Sequence, residues 1–172
     1  LMLGIWADQY GGRLVYVGVM IAAAIATWLL TFAYDYPTFL LAALGVGIAG
    51  GSFSVGIAYV SRWYDQGKQG TALGIFGAGN VGAAVTKFVA PFVMVAYGWK
   101  MVALVWAAAL VVMAVVFLVT TKDDPQLAAR KKAGIKPEPV GAMLEPLRNV
   151  QVWRFSLYYF FVFGGFVALS LW

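Results

Sequence analysis

Long apolar segments separated by short polar ones dominate the pattern of this chain. Four segments are complete, at residues 14–33, 37–60, 71–96 and 101–120. A bilayer core about 30 Å thick is crossed by about 20 apolar residues in a helix. Helix is the predicted conformation because hydrocarbon offers no partners to open backbone groups. A fifth segment begins near Val152, and residues 1–7 have the character of the end of an earlier span.

Composition supports the same interpretation. The chain is 63% hydrophobic and 11% charged, whereas soluble domains are about 45–50% apolar and about 25% charged. The predicted fold class is therefore all-α, a polytopic membrane helical bundle. The sequence contains no Cys and no His, which excludes disulfides, Cys/His metal sites and Ser-His-Asp chemistry from this stretch. We expect no enzyme, no metal and no cofactor.

Basic residues are concentrated on alternate connections. Most of the 12 Lys and Arg residues lie at 8–13, 61–69 and 121–151, while the opposite turns carry only Lys100. The positive-inside rule places the three basic connections in the cytoplasm. The net charge of +5 therefore reflects topology in an inner membrane, and no nucleic-acid partner is expected.

The hydrophilic stretch near the end of the chain predicts a boundary between two bundles. Four of the six Pro residues lie within 122–146. We expect residues 1–120 to form part of a first bundle and 121–151 to form a cytoplasmic linker with a short surface helix at 126–132. Residues 152–172 would then begin a second bundle.

The first motif is the short basic connection that ends at Arg13. Gly11 and Gly12 permit a tight bend, and Asp8 and Arg13 can pair with helix ends or opposite charges. A plain positive-inside loop would also fit these residues. The pattern from Gly4 to Arg13 resembles the loop between helices two and three of the major facilitator superfamily, except at Gln9, where that family usually has Arg or Lys. The resemblance implies a gate at Asp8 and Arg13. It also implies an internal fragment of that fold, from the end of helix two to early helix seven.

The second motif is rich in glycine and contains one polar residue near mid-membrane. Small residues four apart, as at Gly47/Gly51 and Gly70/Gly74, predict close helix packing. A phosphate-binding loop is not expected, because no strand precedes the glycines. Packing does not explain Asn80, which lies about 15 Å from the start of its helix, near the midplane.

Three segments together resemble the nitrate/nitrite porter branch of the major facilitator superfamily. They are the Gly50-Gly51-Ser52-Phe53 run, the Gly-rich stretch 74–82 with the following Phe88-Val89-Ala90-Pro91, and Tyr159 with Phe163 before Gly164. The resemblance implies that four residues line an anion pathway: Phe53, Asn80, Tyr159 and Phe163. It assigns the signature glycines to Gly50, Gly51, Gly74, Gly77, Gly79 and Gly82. It also implies two anion-binding Arg residues, on helices two and eight, outside this chain.

Lys87 is the one ionisable residue deep in a complete predicted span. It follows Asn80 by seven residues, so both project from the same side of a helix about 10 Å apart. Two interpretations are open. The Lys side chain either reaches to the membrane interface as an anchor, or it attracts an anion and titrates during transport.

The sequence is best explained by a secondary active transporter of nitrate and/or nitrite that works by alternating access. The alternative within the superfamily is a carrier of another small anion, a phosphate ester or a carboxylate. A channel or a membrane scaffold is the alternative from another class. We expect a monomer in the lipid bilayer. Uniport, proton symport and nitrate/nitrite exchange are all compatible with these residues.

Overall fold

The structure is a computed structural model that describes residues 2–123, 129, 133, 141 and 145–171. The predicted surface helix at 126–132 lies outside the described residues, apart from Ala129. The chain divides into two compact units, Leu1–Lys136 and Pro137–Trp172, and each is described by itself.

The described residues form α-helices joined by short 3-10 turns and loops. The first unit contains α1 (Met2–Tyr10), α2 (Gly12–Leu29), α3 (Tyr36–Gly47), α4 (Ser52–Ser61), α5 (Gln66–Gly77), α6 (Val81–Tyr97) and α7 (Trp99–Thr120). The second unit contains α8 (Val150–Leu171), which begins two residues before the predicted start.

In the part of the chain that the structure describes, four stretches are long and apolar enough to cross a membrane, and they confirm the four predicted spans. They are Gly12–Phe32, Tyr36–Ser61, Gln66–Tyr97 and Trp99–Thr120. Two of them differ from the uninterrupted helices that were predicted. A 3-10 turn at Ile48–Gly51 separates α3 from α4, and another at Ala78–Asn80 separates α5 from α6. Both turns contain glycine, which is a weak helix former and supplies no side chain to pack against the preceding turn.

Single glycines make two of the reversals between helices. Gly11, with φ 102°, separates α1 from α2, and Gly98, with φ 82°, separates α6 from α7. Residues with side chains rarely adopt these positive φ values, so the two turns depend on glycine. Gly12 has a different role, because a Cβ there would lie 2.9 Å from Cδ2 of Tyr59.

The start of α3 is fixed by a capping box. The backbone N–H of Thr38 donates to Asp35 Oδ1 at 3.2 Å, and the Thr38 hydroxyl also donates to this carboxylate. Hydrogen bonds from the Thr38 side chain and backbone hold the pKa of Asp35 below its ordinary value. The cap therefore contributes fully above the ordinary Asp pKa and is lost as the pH falls through the lowered value.

Small residues dominate the core of the first unit. α2 lies at its centre and contacts α1, α3, α4 and α7. The buried apolar residues are Ala7, Val19, Ala23, Ala24, Ala26, Ala33, Ala42, Val55, Ala107 and Ala114. Because lipid tails are as apolar as Leu, membrane helices gain from close backbone approach rather than from burying large side chains.

In the described part of the second unit, a 3-10 turn, Glu145–Arg148, leads into α8. Asn149 Oδ1 accepts a hydrogen bond from the backbone N–H of Gln151 at 2.9 Å, as expected of a residue that caps a helix. The Trp153 indole donates to the Leu147 carbonyl at 2.7 Å and ties the turn to the first turn of α8.

Gly45 gives the sharpest test of close packing in the first unit. A Cβ at Gly45 would lie 2.7 Å from the Cβ of Ala26, whereas one at Gly47 would meet nothing within 4 Å among the described residues. We expect Gly45→Ala to destabilise the full-length protein by about 1–3 kcal/mol through overpacking of α2 against α3. Gly47→Ala should be neutral or slightly stabilising, because Ala is the better helix former. Thermal unfolding in detergent measures both, and equal melting temperatures for the two variants would contradict this packing.

Candidate functional site

Asn80 ends the 3-10 turn that joins α5 to α6. Its side chain is exposed and does not cap α6. Among the described residues it takes part in no hydrogen bond, although a polar amide at this depth in a membrane needs a partner. The amide is thus available to a ligand, to water or to a segment beyond the described residues.

One interhelical hydrogen bond sets the rotation of α6 about its axis. The Trp106 indole of α7 donates to Thr86 Oγ1 at 3.0 Å. Lys87 is the next residue, turned about 100° from Thr86, and Asn80 lies about 20° from Lys87 around the helix. With Thr86 turned toward α7, Asn80 and Lys87 share another face of the helix, where both are exposed.

Phe53 lies in an aromatic contact between α4 and α5. Its ring centroid is 5.6 Å from that of Phe76, with the planes inclined by 34°. A Cβ added at Gly56, one turn after Phe53, would collide with the Phe76 ring. The lack of a side chain at Gly56 therefore makes room for Phe76, which sequence reasoning did not select.

Tyr159 and Phe163 form a pair within the second unit. Their rings stack along α8 with centroids 5.3 Å apart and planes 7° apart. Both side chains are about half exposed, at 52% and 43%. The pair offers a flat aromatic surface at two successive turns of one helix, and the spacing of four residues in the sequence already indicated it.

The signature glycines fall into two groups. A Cβ at Gly51 would collide with the Leu3 side chain of α1, so the 3-10 turn before α4 approaches α1 closely. A Cβ at any of the other five signature glycines would meet nothing within 4 Å among the described residues. This second group comprises Gly50, Gly74, Gly77, Gly79 and Gly82. Their close packing therefore stays a prediction about segments outside the described chain.

A charged cluster ties the helix ends together at the basic end of the first unit. It consists of Asp8, Arg13, Tyr59, Arg62 and Asp123. Asp8 pairs with Arg62, and Arg13 Nη1 lies 3.1 Å from Asp123 Oδ1. Tyr59 donates its hydroxyl to the carbonyl of Lys122 at 2.5 Å. The cluster thereby links α1, α2, α4 and the end of α7.

Arg13 also acts on the helix end itself. Its Nη2 donates to the Leu118 carbonyl in the last turn of α7, where a cation is favoured by the helix dipole. The Asp8–Arg62 pair is partly buried and the Arg13–Asp123 pair is more exposed. Because exposed ion pairs contribute up to about 1 kcal/mol each, the Arg13–Asp123 pair orients the helix ends more than it stabilises them. The motif around Asp8 predicted such pairing. Arg62, Tyr59 and Asp123 were missed because they lie far away in the sequence.

An apolar cavity of about 400 Å³ lies among α2, α3, α6 and α7. Thr86 and Trp106 line it, together with Phe39 and Trp99. None of Phe53, Asn80 and Lys87 does, so this cavity is not the predicted pathway. Among the described residues no group of three His, Cys, Asp or Glu side chains could hold a metal ion.

A family model decides the classification. The model described as "Major Facilitator Superfamily" matches residues 1–172. The chain belongs to the Major Facilitator Superfamily. It is a multi-pass membrane protein, as the four spanning stretches indicate.

Individual relatives carry names that concern nitrate and nitrite. The chain is 46% identical over its whole length to the "Probable nitrate/nitrite antiporter NarK1" of Thermus thermophilus, of which it covers 40%. It is 33% identical over 99% of its length to the "Probable nitrate/nitrite transporter NarK2" of Mycobacterium tuberculosis, of which it covers 42%. It is 30% identical over 98% of its length to the "Nitrite extrusion protein" of Bacillus subtilis, of which it covers 41%. No solved structure matches the chain.

These relatives confirm the resemblance to nitrate/nitrite porters. The chain spans about two-fifths of the length of the relatives it matches. The match to transporters also fits a protein that is not an enzyme.

The Phe53–Phe76 contact yields a prediction at Gly56. We expect Gly56→Ala to push the Phe76 ring away and thereby displace Phe53, while a terminal ring shift costs little stability. Transport by the full-length protein should fall several-fold, with the melting temperature lowered by only a few degrees. The matched control is Gly18→Ala in α2, where a Cβ meets no described atom and which is not a signature glycine. Equal transport rates for the two variants would show that transport does not depend on the Phe53–Phe76 contact.

Proposed function

We propose that the full-length protein is a secondary active transporter that moves nitrate and/or nitrite across the inner membrane by alternating access. The observation that carries this proposal is the similarity of the whole chain to relatives named for nitrate and nitrite, at 46% identity in one of them. These names favour nitrate or nitrite over a phosphate ester or a carboxylate.

The chemistry of one helix face supports an anionic substrate. Asn80 and Lys87 lie exposed on the same side of α6, within about 10 Å of each other. The amide N–H groups of Asn80 would donate to an oxyanion, and the ammonium of Lys87 would raise the local anion concentration. The Thr86–Trp106 hydrogen bond would keep this face in place.

Aromatic rings supply the second feature that suits nitrate or nitrite. A flat anion stacks on an aromatic ring more readily than a tetrahedral phosphate ester does. Phe53 in the first unit and the Tyr159–Phe163 stack in the second each present such a surface. In the proposal these rings line the pathway, and the two Arg residues implied by the family resemblance supply bidentate donors from beyond this chain.

The charged cluster would serve the conformational cycle. By the positive-inside rule its end of the bundle faces the cytoplasm. The Asp8–Arg62 and Arg13–Asp123 pairs join four helices there, so the first unit would move as one body when the cytoplasmic side opens and closes. We propose that the transporter works as a monomer and that protons are a candidate coupling ion.

Replacing the mid-membrane amide tests the proposal. We expect Asn80→Leu to lower nitrate uptake by proteoliposomes containing the full-length protein at least tenfold, without loss of expression. A hydrogen bond to a charged group is worth about 1.5–3 kcal/mol, and about 1.4 kcal/mol corresponds to tenfold. The matched control is Val85→Leu, about 140° around the same helix from Asn80.

Lys87 supplies the second arm of the same experiment. Lys87→Gln should weaken uptake, while Lys87→Arg, which keeps the positive charge, should restore anion attraction. If Asn80→Leu transports like Val85→Leu, the amide serves packing alone. If Lys87→Gln matches the parent protein in uptake rate, the Lys is an interfacial anchor.

A further inference from the structure

A furrow runs between α2 and α7, and no other described helix contributes to its walls. Its volume is about 360 Å³. Alanines form its floor, and Ala24 and Ala107 are only 3% and 7% exposed. Larger side chains, among them Ile25, Trp28 and Val111, flank the floor and remain about half exposed. The furrow thus exists because small residues let the helices approach while larger ones stand on either side.

A cation lies where α2 ends and α7 begins. α2 ends at Leu29 and is followed by the 3-10 turn Leu30–Phe32, while α7 begins at Trp99. Lys100 Nζ is 3.4 Å from the Tyr34 hydroxyl and 4.7 Å from the centroid of the Tyr34 ring. Leu104, one turn after Lys100 on the same side of α7, lines the furrow. Lys100 therefore lies one helical turn beyond the nearest lining residue of α7, and we take this end as the mouth of the furrow.

The length of the furrow along α7, measured from Lys100, matches the thickness of one bilayer leaflet. From Lys100 to Val111, the last residue of α7 that lines it, the helix rises by about 16 Å. Half of the hydrocarbon core is about 15 Å thick. Tyr34 and Trp99 beside Lys100 are the aromatic residue types that lie at the boundary between lipid tails and headgroups.

The charge at the mouth has no acidic partner in the described part of the chain. The two ion pairs among the described residues involve Arg13 and Arg62, which lie at the opposite end of the bundle from Lys100. The Lys100 ammonium has three N–H donors, and one of them donates to the Tyr34 hydroxyl. An anionic group that approaches along the furrow would meet an ammonium already oriented by two aromatic rings.

We propose that the α2–α7 furrow binds a phospholipid, with one acyl chain on the alanine floor and the phosphate on Lys100. A second copy of the chain fits less well. Stable protein interfaces bring about 20–30 residues from each partner together, whereas eight residues line this furrow. The proposal concerns lipid binding and does not depend on which substrate is transported.

Photo-crosslinking in nanodiscs tests the site. The full-length protein is surrounded by phosphatidylglycerol that carries a photoactivatable diazirine on one acyl chain, and labelled peptides are mapped by mass spectrometry. We expect label concentrated on the furrow residues of α2 and α7. Ala108→Phe fills the furrow and should lower this label at least fivefold. Ala109→Phe is the matched control, because Ala109 is also exposed but lies outside the furrow, and its label should match that of the parent protein.

A separate variant tests the proposed contact between Lys100 and the lipid phosphate. Lys100→Gln should lower furrow labelling about fivefold, as expected for the loss of one cation near anionic lipid. Lys68→Gln, at the other end of the bundle, should leave it unchanged. Label spread evenly over all lipid-facing helices, or equal loss in Ala108→Phe and Ala109→Phe, would overturn the proposal. A cross-link between two copies through the furrow would assign it to a dimer and overturn the proposal as well. Unchanged labelling of Lys100→Gln would overturn the phosphate contact.

Discussion

The hydrocarbon interior accepts no unpaired polar group, and the rest of this structure depends on that constraint. It forces the backbone into helices that satisfy their own hydrogen bonds. It also moves charge to the ends of the bundle, where Asp8 pairs with Arg62 and Arg13 pairs with Asp123. Asn80, in the 3-10 turn before α6, and Lys87, in α6, lie exposed on the third span. We propose that anion transport explains the Asn80 amide, because a polar amide near the middle of a membrane needs a partner.

Much of the fold could be predicted, because span length and apolar content are local properties. The four spans match the predicted segments, and α8 begins within two residues of its predicted start. The 3-10 turns at Ile48–Gly51 and Ala78–Asn80 were not predicted. Glycine in a membrane helix is equally compatible with close helix packing and with an interruption of the helix, so the sequence does not distinguish the two. Partners of the motif residues were missed for another reason. Arg62 and Asp123 reach Asp8 and Arg13 only through the tertiary arrangement of helices distant in sequence.

Small residues pack closely in one region of the first unit and remain exposed in another. Around α2, buried alanines and the Gly45–Ala26 approach hold the helices together. Along α5 and α6 no residue is buried, and a Cβ on the signature glycines would meet no described atom. The first unit thus combines a packed body around α2 with one open, glycine-rich face along α5 and α6. The interhelical Trp106–Thr86 bond joins the two regions and fixes which side of α6 is open.

Substrate counterflow tests the central proposal, that this chain belongs to a carrier of nitrate and/or nitrite. The full-length protein is reconstituted into liposomes loaded with unlabelled nitrate or with nitrite, and the entry of the same anion in isotopically labelled form is followed. The account predicts that at least one of the two internal anions accelerates this entry, and that excess external glycerol phosphate or acetate leaves the rate unchanged. Competition by glycerol phosphate or acetate as strong as that by the unlabelled anion would contradict it, as would entry that neither internal anion accelerates.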